Sequence, residues 1–197
     1  MNAFLAQNTL TEKQIIALTS AWVEHVVIGL NLCPFAKPVH TKGQIHYSVS
    51  HARDENSLAA DLRLSMQNLI ATTPDKIDTY LLIHPWVLTD FIDYNNFLDI
   101  ADEILDELDL IGVLQIASFH PNYQFAGTTA DDVTNCTNRS PFPVLHLLRE
   151  ESLDKATTAL PDPDVIVNRN LETMTSLGHE GWNKLQSHLK QSIESTS

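Results

Sequence analysis

Cysteine is nearly absent from this chain. Cys33 and Cys136 are the only two among 197 residues, and they form no CxxC pair. No disulfide framework can be built from them, so a reducing compartment, the cytoplasm, is the simplest setting. Glycine is scarce too, at six. Neither GxGxxG nor GxxxxGK followed by Ser or Thr occurs, which disfavours nicotinamide, flavin and nucleoside-triphosphate chemistry of the standard kind. No apolar run approaches the roughly 20 residues that span a bilayer. The stretch Met1 to Leu10 lacks the positive charge and apolar centre of a secretory signal. Basic residues are outnumbered, 12 against 25 acidic, for a net charge of −13. A field of that sign repels phosphate backbones and anionic membrane surfaces, so neither nucleic acid nor membrane is expected as a partner.

What is present suits one α/β domain spanning residues 1–197, with 1–10 and 195–197 expected as mobile ends. Apolar residues make up 43% of the chain, enough for a core. Thr11 and Gln14 form a capping box, followed by apolar positions Ile15, Leu18, Trp22, Val26 and Leu30 at helical spacing. Gln44 to Ser50 alternates, with Ile45, Tyr47 and Val49 on one side, as an edge strand would. Leu58, Leu62, Met66 and Leu69 mark a helix. Thr79 to Ile83 is a continuous apolar run suited to a covered strand. Phe91, Tyr94, Leu98, Ala101, Leu105 and Leu108 mark another helix, and Leu110 to Phe119 another buried strand. The acidic run from Asp99 to Asp109 falls on that second helix and reads as its solvated face.

Strand centres at Ile45, Thr79 and Val113 are evenly spaced, which predicts consecutive βαβ units with right-handed crossovers. The expected fold class is therefore α/β: a small, mainly parallel sheet with an N-terminal helix and C-terminal helices packed around it. Those C-terminal helices are expected over Pro141 to Glu151 with a continuation to Leu160, Asp164 to Leu177, and His179 to Glu194. Gly178 is the expected stop between the last two.

Two strands end in the same dipeptide, His84-Pro85 and His120-Pro121. In a parallel arrangement both histidines stand at the carboxyl edge, where open α/β sheets bind ligands. Proline also ends strands for purely structural reasons, a reading that suits His84 better than His120. After His120 comes a dense polar set: Asn122, Asp131, Asp132, Asn135, Asn138, Arg139 and Ser140. With Ser140 as N-cap and Pro141 in the first turn, free backbone N–H groups and Arg139 would attract an anion. On the expected helix, His146, Arg149 and Glu150 share a face. His84, His120 and His146 with Asp131 or Asp132 also supply ligand types for a divalent metal, although in no recognised spacing. Two further constellations can frame a site or be structural. One is Asn31-Leu32-Cys33-Pro34-Phe35, with Cys33 a secondary nucleophile candidate at a helix end. The other is Pro161-Asp162-Pro163-Asp164 followed by Arg169-Asn170.

The segments GLNLCPFA (Gly29 to Ala36), FHPNYQFAG (Phe119 to Gly127), TNRSPFPVLHLLREES (Thr137 to Ser152) and RNLETMTSLGHEGW (Arg169 to Trp182) are long and specific. Through them the chain resembles a bacterial family known as domain of unknown function 1415, from about Trp22 to Leu185. The resemblance implies a bacterial cytoplasmic protein of this size and carries no activity, substrate or cofactor.

Two functions remain open from the residues, beside a purely structural or interaction role in which the polar stretch is exposed and scattered with no cavity. In the first, an enzyme acts on a small anionic substrate. His120 and His146 are its acid–base pair, and Asp131 or Asp132 orients one imidazole. Asn122, Asn135, Asn138, Arg139, Ser140, Arg149 and Glu150 bind the substrate. In the second, a non-catalytic module binds a small molecule or metal in the same place. The sequence carries no signal for oligomeric state.

Overall fold

The computed structural model describes residues 10–157 and 163–194. The expected mobile ends at 1–9 and 195–197, the continuation from Thr158 to Leu160, and the Pro161-Asp162 part of the expected turn lie outside these residues.

Helix α1 (Glu12–Trp22) starts where the capping box expects it: Thr11 accepts the Gln14 backbone N–H, and the Gln14 side chain accepts from Thr11. It runs on as a π-helical segment, Val23–Ile28, then a turn and a short helix α2 (Ala36–Thr41). Strand β1 (Ile45–Val49), helix α3 (Glu55–Ala71), strand β2 (Thr79–Ile83), helix α4 (Phe91–Glu107) and strand β3 (Leu114–Phe119) follow in the alternation read from the sequence. Asp54 and Asp90 cap α3 and α4 through their side chains. The acidic residues of α4 face solvent, while Tyr94, Phe97, Ala101, Ile104 and Leu105 are buried.

The mainly parallel sheet is not what forms. The order is β1-β2-β4-β3, where β4 is Val144–Arg149. Only β1 and β2 pair in parallel; β4 is antiparallel to both β2 and β3. β1, β2 and β3 therefore do point the same way, but β3 is separated from β2 by an inserted strand. The expected helix over Pro141–Glu151 is this strand, and it fills the centre of the sheet. Val144, Leu145 and Leu147 are 0% exposed, so both faces of β4 are covered, and a strand covered on both faces loses its alternation. A short apolar run of that kind cannot be told from a buried helix by period alone.

After β4 come α5 (Glu150–Thr157) and α6 (Pro163–Glu194). Gly178 breaks α6 with φ 63° and ψ 178°, a conformation reserved almost wholly for glycine. The backbone leaves helical geometry there, so α6 is two helices meeting at a kink, with Gly178 as the stop between them.

The sheet has an apolar layer on each face. Leu58, Leu62, Met66, Tyr94 and Phe97 of α3 and α4 pack on Leu82, Leu145 and Leu147. Ile15, Leu18 and Trp22 of α1, with Met174, Trp182 and Leu189 of α6, pack on Leu81, Ile83 and Val144. No helix among the described residues is long and apolar enough to cross a membrane.

Candidate functional site

The shared direction of β2 and β3 brings His84 and His120 to one edge of the sheet, where both are 0% exposed. The Tyr94 ring lies 5.7 Å from the His84 ring and 5.1 Å from that of His120. Both imidazoles serve the loop after β2. His84 donates from Nδ1 to the Val87 carbonyl at 3.1 Å. His120 donates from Nε2 to the Leu88 carbonyl at 3.2 Å and accepts the Asn122 backbone N–H on Nδ1 at 3.0 Å. Leu88 has φ 54°, a left-handed conformation costly for leucine, which the His120 bond helps hold. Burial lowers both pKa values to about 4. At neutral pH His120 is uncharged with both nitrogens occupied, which suits a strut better than a proton shuttle.

The polar stretch after His120 is similarly committed. Asn135 is buried; its Oδ1 accepts from Phe125 N–H and the Thr128 hydroxyl, and its Nδ2 donates to the Thr129 carbonyl. Arg139 donates to the carbonyls of Tyr123 and Ala130. Asp132 caps the 3₁₀ segment Val133–Asn138, and its bonds to the Thr134 hydroxyl and N–H hold its carboxyl below the usual range. Asn138 donates to the Ser118 carbonyl. Ser140 caps no helix: its hydroxyl donates to the Phe142 carbonyl, and the chain enters β4 instead. Asn122 and Asp131 are exposed. The loop is a self-bonded structure in which Arg139 organises carbonyls.

His146, Arg149 and Glu150 do not share a face. On a strand, residues three apart point to opposite sides. His146 lies on the face covered by α1 and α6, its ring 6.0 Å from that of Phe119. Its Nε2 bonds the Thr79 hydroxyl, which itself donates to the Leu147 carbonyl. Desolvation lowers its pKa to about 4. Arg149 reaches the other way, to the Leu69 and Thr72 carbonyls at the end of α3 and to the Ile77 carbonyl just before β2. Glu150 opens α5, its N–H donating to the Val113 carbonyl. The sheet thus stands between His146 and the α4-packed ring of His120. No group of three or more His, Cys, Asp or Glu side chains placed to hold a metal occurs among the described residues.

The two secondary constellations do meet, although 138 residues separate them in the chain. Arg169 donates from a terminal nitrogen to the Asn31 carbonyl at 2.7 Å, and Asn170 Nδ2 donates to the Leu32 carbonyl at 2.8 Å. Asn31 has φ 54°, which asparagine tolerates better than most residues and which turns its carbonyl toward α6. The preceding backbone is π-helical, a geometry frequent at functional sites. Gly29 is required there, because a Cβ would fall 2.3 Å from the His25 carbonyl oxygen.

Beside this junction is an open groove of about 530 Å³. Asn31, Pro34 and α2, with Lys37, Pro38 and Thr41, line it together with Lys42 and Arg169. No acidic residue lines it among the described residues. Neither Lys37 nor Lys42 has a carboxylate partner among the described residues. The Arg169 Nε is buried and makes no hydrogen bond. Cys33 is adjacent, but burial raises its pKa against the opposing pull of the Phe35 and Ala36 backbone N–H groups and of Arg169, so it is a thiol rather than a nucleophilic thiolate. In the sequence Asn31 and Cys33 stand at a helix end and Arg169 and Asn170 follow a turn at a helix start, as two separate constellations; nothing local marks Lys37 on α2 or Lys42 at its C-cap as members of a site.

No curated protein and no solved structure matches the chain. The sequence model of one family does, over residues 14–184, a span that takes in the Asn31–Lys42 segment, the carboxyl edge of the sheet and Arg169. The chain belongs to that family, described as Protein of unknown function (DUF1415).

Proposed function

We propose that this protein is a binding module for a small organic anion, which it takes up in the groove between the Asn31–Lys42 segment and α6. The observation that carries this reading is the gathering of three cations, Lys37, Lys42 and Arg169, around one groove with no acidic residue in its lining among those described, in a chain whose net charge is −13. Lys37 and Lys42 are exposed, so an anion in the groove can reach both ammonium groups. The groove volume falls in the range of small-molecule sites. The alternative, an acid–base enzyme built on His120 and His146, has less support: both imidazoles are neutral at pH 7 and lie against opposite faces of the sheet.

The test is thermal unfolding of the full chain with phosphate, sulfate, citrate and acetate at matched ionic strength. A ligand at about 100 times its Kd adds about 2.7 kcal/mol and raises Tm by several degrees. Lys37→Gln/Lys42→Gln removes two exposed charges without cutting any side-chain hydrogen bond among the described residues and is expected to abolish most of the shift. Equal response of this double variant and the wild type, or no response to any anion, would sink the proposal.

A further inference from the structure

Resting on that reading of the groove, we infer that its ligand is a phosphate monoester carried on an apolar body. The cations set the charge. Arg169 already gives one terminal nitrogen to the Asn31 carbonyl, so the usual two-terminal fork for a carboxylate is partly occupied. A monoanion answers only one of the three cations Lys37, Lys42 and Arg169, whereas a phosphate monoester carries about −1.5 to −2 at pH 7 and three acceptor oxygens. The Asn31 side chain adds a neutral amide to the same lining.

The walls set the body. Pro34 and Pro38 present ring faces without donors, and the groove at about 530 Å³ is far roomier than inorganic phosphate requires. A lipid surface is the less suitable source of this chemistry, since the molecule's overall charge repels anionic bilayers.

Titration calorimetry of the full chain at pH 7.5 and fixed ionic strength separates the possibilities with phenyl phosphate, inorganic phosphate and benzoate. Phenyl phosphate is expected to bind about tenfold or more tighter than either of the others, and to lose about tenfold in Lys37→Gln/Lys42→Gln. Benzoate binding as tightly as phenyl phosphate overturns the dianion; inorganic phosphate binding as tightly overturns the apolar body. Binding to phosphatidate vesicles with no binding of phenyl phosphate overturns the soluble ligand. If these three solutes fail while another anion stabilises the protein, only this inference falls; if every anion fails, the groove loses its role as well.

Discussion

Tyr94 shows how single buried polar atoms hold this fold together. Its side chain rises from α4 into the sheet edge and is 0% exposed. The hydroxyl donates to the Val144 carbonyl at 2.8 Å and accepts the Phe119 N–H at 3.0 Å, joining the start of β4 to the end of β3. Burial raises its pKa well above the usual phenol value, so it stays a donor at any ordinary pH. Tyr94→Phe keeps the ring and removes both bonds. We expect a loss of about 2 kcal/mol in urea-unfolding free energy, since two buried backbone groups lose a partner. A loss under about 0.5 kcal/mol would mean that the two strands close on each other without the hydroxyl. Nothing in the sequence hints at this role: Tyr94 reads there only as one apolar position of a helix, because a hydrogen bond to a backbone 25 or 50 residues away leaves no local mark.

At the scale of elements, legibility depends on whether local pattern and tertiary environment agree. α3 and α4 are readable because each packs one face, and Leu58, Leu62, Met66 and Leu69 are all 0% exposed. β1 is readable as an edge because only one of its sides is covered. β4 is not, because a central strand has no alternation and Ser140-Pro141 mimics a helix start. That single error displaces the candidate site: a helix there would put His146 with Arg149, and the strand sends them apart. Arg149 instead closes the carbonyl end of α3, at 2.6 Å from both Leu69 and Thr72 oxygens. Positive charge on that end of a helix, where carbonyls lack partners, is favourable. Arg149→Met is expected to cost about 2–3 kcal/mol, as charged hydrogen bonds to buried carbonyls do. Arg149→Lys should recover only part of it, because a point ammonium cannot span three carbonyls. Full recovery by lysine, read from the same urea curves, would show that charge alone matters.

At the scale of the whole molecule, three histidines tie stability to pH in one direction. His84, His120 and His146 each titrate at about 4 in the folded chain, chiefly because burial penalises the charged imidazole, against 6.5 when unfolded. Between those values the unfolded chain binds more protons, so stability is full above pH 6.5 and declines as pH falls toward 4. Each histidine accounts for up to about 3.5 kcal/mol across that window, an upper figure for about 2.5 units at about 1.4 kcal/mol each. The acidic surface acts oppositely: protonating carboxylates relieves the repulsion implied by a net charge of −13. Carboxylates titrate mostly below about pH 5, so the window from about 6.5 to 5 isolates the histidines. There we expect urea-unfolding free energy to fall steeply, with a slope approaching about 4 kcal/mol per pH unit if all three act together. His120→Gln, which keeps a side-chain donor for the Leu88 carbonyl, should flatten the slope by about one third. A profile flat from pH 7 to 5, or a slope unchanged in His120→Gln, would mean that these imidazoles accept protons while the fold stays intact.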